Sequence, residues 1–187
     1  MTRILLGIAG APGAGKSTYA AAEQARLGPA ATVLPMDGFH LPQAELVRLG
    51  RRDRMGAPDT FDVAGFVATL EALRSGADVR APGFDRRIEE PVPDAIVVGP
   101  DIRLVLVEGN YLLHDRDGWE RVRPLLDRVV FLAPDDAVRR DRLIARHVAF
   151  GKSAAEAEAW VARSDDPNAA IVAVTAHRAD ESIPSLG

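Results

Sequence analysis

Residues 7–18 read GIAGAPGAGKST and run on from an apolar stretch, RILLGIA, that begins at Arg3. Within this stretch, GAPGAGKS (10–17) satisfies the spacing G-x-x-x-x-G-K-[ST], with a predicted strand before it and a predicted helix after it, the context the motif needs. Glycines let backbone amides turn inward and approach phosphate oxygens closely, and the following helix N-terminus adds positive potential. Gly10, Ala11, Pro12, Gly13, Ala14, Gly15, Lys16, Ser17 and Thr18 are therefore the candidate phosphate cradle. Lys16 is expected to reach the β- and γ-phosphates, and the Ser17 hydroxyl to ligate Mg²⁺. The competing reading is a glycine-rich turn that only joins strand to helix. Lys16 argues against it, because Lys16 and Lys152 are the only lysines in the chain. The loop is read as holding a nucleoside triphosphate with Mg²⁺.

Outward from the loop, four short apolar runs read as buried parallel strands: 3–9, 31–37, 103–109 and 127–133. Continuous rather than alternating hydrophobicity is what a sheet covered on both faces requires. Helical patterns lie between them. Lys16 to Leu27 stops at Gly28, a C-cap, and Val63 to Ser75 follows the N-cap Asp62. Gly118 to Leu126 and Asp135 to Phe150 are further predicted helices, and another starts at Ser153, where SAAE forms a capping box through Glu156. A short strand near 179–183 and an extra hairpin strand at 95–99, ahead of RLVLVEG, complete the reading. Alternating β and α elements predict an α/β fold with a mostly parallel central sheet.

Composition sets the bounds. The chain has 187 residues, 47% hydrophobic and 27% charged, ordinary for a globular protein, and is read as one domain over 1–187. A formal net charge of −4 gives no reason to expect nucleic acid or an anionic membrane as partner. The chain has no cysteine, which excludes disulfides, thiolate metal sites and a cysteine nucleophile. The apolar run Ile4–Ala9 is shorter than a signal-peptide core of roughly 7–15 residues, so a cytoplasmic protein is the expectation. No run of 18 apolar residues is present to span a membrane. A small-molecule alcohol is the expected partner, and a homodimer the expected macromolecular association.

Three stretches bear on what happens to the phosphate. In LPMDGFHLP (34–42) a predicted strand delivers Asp37 at its carboxyl end, where ligands of open α/β sheets sit. A carboxylate there can take the proton of a hydroxyl attacking the γ-phosphate, or it can simply cap a turn before Gly38. In LVLVEGNYLL (104–113) Glu108 ends an apolar strand and is placed to orient Mg²⁺ or a metal-bound water, the alternative being a solvated strand end. In AVRRDRLIARHVAFGKS (137–153), Arg139, Arg142 and Arg146 fall at i, i+3 and i+7, on one helix face. Arginines on a lid can stabilise the transferring phosphoryl group, with Arg142 the catalytic candidate and Arg139 and Arg146 nucleotide-binding candidates; a solvated basic face is the alternative. A guanine-specific N-K-x-D motif is absent, which argues against a GTPase-type switch.

Taken in order, GAPGAGKST, MDGFH (36–40), GAPDTFD (56–62), FDR (84–86), VEGNYLL (107–113) and the arginine segment resemble the phosphoribulokinase/uridine kinase family of P-loop kinases, which includes bacterial pantothenate kinase. The resemblance implies a P-loop NTPase three-layer sandwich with an arginine-bearing helical lid over about 137–165. It implies that Asp37 is the catalytic base, that Glu108 is the strand-end acid, and that Asn168 lies near the adenine. GNYLL, GKSAAEAEAW (151–160) and DDPNA (165–169) look most like bacterial members described as fructokinase-like or nucleoside/nucleotide kinase-like. The chain departs from uridine kinase in having no clear counterpart, after FDR, of the histidine that follows a Tyr-Asp pair. It has no room for pantothenate kinase's longer substrate region.

The expected activity is ATP-dependent phosphorylation of a small-molecule alcohol, sugar-like in the first instance, with nucleoside or pantothenate-type acceptors as alternatives. A nucleotide-binding regulator without transfer activity is the rival class, and the joint presence of Asp37 and Glu108 speaks against it. The acceptor-site candidates are Phe39, His40, Arg54, Asp59, Phe61, Phe84, Asp85, Arg86 and Tyr111. For the aromatic residues, core packing is the alternative role; for Asp85 and Arg86, it is a mutual ion pair.

Overall fold

A computed structural model describes residues 3 to 184. Five parallel strands form the central sheet: β1 (Ile4–Gly10), β2 (Ala31–Pro35), β5 (Leu104–Gly109), β6 (Arg128–Leu132) and β7 (Glu181–Ile183), in the spatial order β2-β5-β1-β6-β7. Every neighbouring pair is parallel. The apolar runs are continuous because both faces are covered. Leu5, Val105, Val107 and Val129 pack into one core with helix α3 (Val63–Arg74), while Ile8, Leu106 and Leu132 pack with Ala20 of α1 (Lys16–Leu27) on the opposite face. The result is an α/β three-layer P-loop NTPase sandwich.

Local signals explain the element ends. The α1 helix closes at Gly28, whose amide donates to the Gln24 carbonyl, and the Asp62 carboxylate accepts from the Gly65 amide at the start of α3. Helix α4 (Asp136–Ala149) is capped by Asp135, and α5 (Ala154–Trp160) opens on the predicted Ser153–Glu156 capping box. A π-helical turn, Val161–Asp165, leads from α5 into α6 (Asp166–Ala173). A short helix α2 (Gln43–Arg48) follows β2. Among the described residues no helix is long and apolar enough to cross a membrane.

Two expectations are corrected. The stretch 118–126 forms not one helix but two 3₁₀ turns, Trp119–Arg121 and Arg123–Leu125. Pro124 has no amide to donate to a carbonyl four residues back, and it disfavours helical geometry in the residue before it. The segment 95–99 does not pair with β5. It belongs to β4 (Glu90–Val98), antiparallel to β3 (Val79–Asp85), and the two make a separate two-stranded sheet with a register shift between Ala81 and Gly83. That hairpin, whose first strand the apolar pattern does not reveal, carries part of the site.

Candidate active site

The carboxyl ends of β1, β2 and β5 meet at one edge of the sheet, where Ile8, Glu108 and Pro35 are in register across three strands. A cleft of about 590 Å³ opens there, lined on the loop side by Pro12, Gly13, Gly15, Lys16, Ser17 and Thr18. Gly13 has φ 81° and Gly15 φ 88°, the left-handed region open to glycine, and a Cβ on Gly13 would lie 2.6 Å from the Arg139 carbonyl. Gly10, Ala11 and Ala14 shape the turn from behind without lining this cleft.

Lys16 is buried and donates to the Ala11 carbonyl at 3.0 Å and to Asn110 Oδ1 at 2.7 Å. Burial lowers its pKa to about 8, against the opposing pull of Glu108 and Asp37. An ammonium has three donors, so one remains for a phosphate oxygen. Asn110 was not among the sequence candidates; its position directly after VEG was the available signal. Beside it, Ser17 Oγ donates to Glu108 Oε1 at 3.1 Å. Burial, and then the neighbouring Asp37, push the Glu108 carboxyl above its ordinary range. A hydroxyl and a carboxylate touching next to a phosphate cradle suit Mg²⁺, which takes one or two protein oxygens together with substrate phosphates.

Asp37 lies not at the end of β2 but two residues beyond it, in the 3₁₀ turn Met36–Phe39. Pro35 ends the strand, and the turn presses on the hairpin so closely that a Cβ on Gly38 would sit 2.0 Å from the Pro82 carbonyl. That contact brings Arg86 of the hairpin into an ion pair with the Asp37 carboxylate. Burial pushes this carboxyl up, but Arg86, His40, Lys16 and Arg146 together hold it below the ordinary range. His40 Nδ1 lies 2.8 Å from the Asp37 carbonyl, and its ring packs on Phe61 at 4.0 Å and Phe84 at 4.7 Å. A carbonyl only accepts, so Nδ1 carries the hydrogen; burial lowers the imidazole pKa, which leaves Nε2 a lone-pair acceptor.

The remaining candidates divide cleanly. His40, Phe61, Phe84, Arg86, Arg142, Arg146 and Asn168 line the cleft. Phe39 and Tyr111 do not: Phe39 stacks edge-on against Phe66 at 5.0 Å in the core, and the buried Tyr111 hydroxyl donates to the Gly56 carbonyl at 2.6 Å. Arg54 and Asp59 pair with each other outside the cleft. Asp85 pairs with Arg87 at 2.7 Å rather than with Arg86.

Arg139 lies outside this cleft. It is buried, reaches the Pro12 carbonyl at 3.4 Å and Asp166 at 2.7 Å, and faces a second cavity on the far side of the loop. Position 139 shares the helix face of Arg142 and Arg146 but lies nearer the start of α4, where ion pairs with Asp136 and Asp166, both at 2.7 Å, hold its guanidinium out of the cleft. Asn168, the third residue of α6, lies against the 56–61 loop, its Nδ2 3.7 Å from where a Gly56 Cβ would stand. His147, Trp160 and Asp165 also line the cleft and were missed, although His147 Nε2 and Asp165 lie 2.9 Å apart. They converge only through the fold of α4, α5 and the π-helical turn.

A phosphate loop after the first strand, one acid on β5 and another just beyond β2, and arginines on a facing helix define a P-loop kinase. The chain belongs to the phosphoribulokinase/uridine kinase family, whose model matches residues 5–187. It is therefore an ATP-dependent phosphotransferase of the kind that phosphorylates alcohols. It is 39% identical over 176 residues to the uncharacterised protein YggC of Escherichia coli K12, covering 90% of this chain and 72% of that one. It is 34% identical over 164 residues to a pantothenate kinase of Rhodopseudomonas palustris (strain HaA2), covering 80% of this chain and 51% of the relative. Among solved structures, a protein described as a "putative fructose transport system kinase" from Silicibacter sp. TM1040 superposes with a TM-score of 0.89 at 38% identity, covering 98% of this chain and 90% of that one.

Proposed function

We propose that this kinase transfers the γ-phosphate of ATP to a hydroxyl of a sugar-like acceptor, with Asp37 as general base. The observation that carries the reading is one cleft shared by the Lys16–Ser17–Glu108 cluster and the Asp37 carboxylate. The acceptor hydroxyl lies between Asp37 and the γ-phosphate. As its oxygen attacks phosphorus, its proton passes to Asp37, the bond to the β,γ-bridging oxygen breaks, and ADP leaves. Lys16 and the Arg142 and Arg146 guanidinia offset charge on the transferring group. Mg²⁺, held by Ser17 and Glu108, would supply further charge neutralisation at the phosphates. The segment 137–165 acts as a lid that excludes competing water.

A sugar-like acceptor is supported by the wall opposite the loop. His40 offers a neutral lone-pair nitrogen to a substrate hydroxyl, and Phe61 and Phe84 give flat apolar surface to the C–H face of a polyol. The fructose-system name of the Silicibacter protein agrees with this choice; the pantothenate kinase relative keeps a pantothenate-type acceptor as the alternative. A cytoplasmic location accompanies the use of ATP.

ADP release measured with a panel of sugars, nucleosides and vitamins tests the reading. Acceptor-stimulated turnover is expected, and tight ATP binding with no stimulated turnover would identify a regulator instead. Asp37→Asn is expected to keep the ATP Kd within about twofold and cut kcat by at least about 10²-fold, the scale of general-base loss. Unchanged kcat would remove Asp37 from the mechanism.

A further inference from the structure

Resting on the kinase reading above, we propose that Arg86 is the acceptor-selecting residue: it binds an acid group, carboxylate or phosphate, borne by a polyhydroxyl acceptor. Its pairing with Asp37 couples capture of that acid to release of the base. Arg86 follows directly on β3, in the two-stranded sheet that takes no part in the phosphate cradle. It reaches Asp37 from the hairpin that also carries Phe84, the ring against His40. Of the acids flanking Arg86 in the hairpin turn, Asp85 pairs with Arg87 at 2.7 Å and Glu89 with Arg52 at 2.5 Å. Asp37 is thus the carboxylate that Arg86 holds.

Arg146 lines the same cleft from α4; burial and then Arg86 disfavour its charge, while Asp165, Asp37 and Glu108 favour it. Arg146 serves the transferring phosphoryl group, so Arg86, held on Asp37, is the guanidinium at the acceptor end that can meet an incoming acid. A neutral polyol cannot draw a guanidinium from a carboxylate, because it offers only dipoles for a charge-assisted pair. An acid group can, since it replaces one such pair with another. Once Arg86 turns to that acid, Asp37 loses the neighbour that most depresses its basicity and becomes the better proton acceptor. Without such an acceptor, Asp37 stays paired and water is poorly activated, which limits idle hydrolysis of ATP.

The test uses the full chain with ATP and Mg²⁺ and matched acceptors: D-fructose and D-sorbitol as neutral probes, D-gluconate and D-fructose 1-phosphate as acid-bearing ones. The two acid-bearing arms distinguish carboxylate from phosphate. At least one is expected to exceed its neutral counterpart in kcat/KM by about 10²-fold or more, the discrimination typical of a site built around a polar partner. Arg86→Gln is expected to reduce that ratio to within about threefold and to raise acceptor-independent ADP release, with KM for ATP within about twofold. Arg86→Lys, which keeps the charge but not the fork, is expected to retain part of the preference, and its melting curve controls for folding.

Neutral acceptors used as well as acid-bearing ones, with Arg86→Gln indifferent between them, would overturn this proposal alone. A raised KM for ATP with an unchanged acceptor ratio would likewise overturn it and give Arg86 to the nucleotide. No transfer to any acceptor despite tight, Lys16-dependent ATP binding would overturn the kinase reading, and this proposal with it.

Discussion

At the phosphate-loop end of the cleft, nine consecutive residues, Gly10 to Thr18, supply the cradle, and Glu108 and Asn110 join them through Ser17 and Lys16. At the acceptor end the walls come from separate places: the turn around Asp37 and His40, the loop 56–61, the hairpin with Phe84 and Arg86, helix α4, and Asn168 of α6. The first end is a local structure placed by one strand. The second exists only where five segments meet, and each is held by contacts that could not be read from its own spacing. Tyr111 and Trp119 fasten the 56–61 loop through the carbonyls of Gly56 and Pro58, at 2.6 and 3.1 Å. The difference teaches that the nucleotide half tolerates little change in sequence, whereas the acceptor half can be retuned one wall at a time.

The largest effect expected from breaking that contrast is at the loop. Lys16→Ala should lower kcat by about 10³-fold, the scale for losing a preorganised cation at a transferring phosphoryl group. Asn110→Ala should cost only about tenfold in kcat, because the lysine keeps its charge but loses a positioning bond. Steady-state ADP release checks both, and an Asn110→Ala loss as large as that of Lys16→Ala would make Asn110 more than a positioning residue.

Next comes the split along α4. Arg146→Ala should lower kcat about tenfold while moving Tm by less than about 2 °C. Arg139→Ala should do the reverse, costing about 2 kcal/mol and several degrees in Tm because it leaves the Pro12 carbonyl and Asp166 without their buried partner. Parallel melts and turnover measurements separate the two; matching profiles would mean that both arginines serve the same half.

The smallest effect is in pH. Lys16 titrates near about 8 in the folded chain against 10.5 when exposed, so the unfolded chain binds more protons in that window and stability rises with pH across it. ATP affinity should run the other way, falling as pH passes about 8 and the ammonium is lost. Denaturant midpoints and ATP Kd measured from pH 7 to 10 check the opposed signs, and a flat Kd would show that bound phosphate holds the lysine charged.

What could be read in advance follows range. The strands 4–10, 31–35, 104–109 and 128–132 and the caps at Gly28, Asp62 and Ser153 depend on residues a few positions apart, and so were legible. Pro124 is a local signal of the same kind, and it breaks the helix that the pattern of 118–126 predicts. Of the β3–β4 hairpin, only the 95–99 end of β4 is legible; Pro82 and Gly83 interrupt the pattern of β3.

By itself, the sequence determined the cradle and its lysine, because glycine torsions, strand burial and helix start act over one short stretch. Only the tertiary structure decided that Arg86 meets Asp37, that Asn110 holds Lys16, and that Asp166 draws Arg139 out of the cleft. Those pairings depend on how helices and a separate hairpin seat against the sheet edge, and seating of that kind is set by packing between residues tens of positions apart.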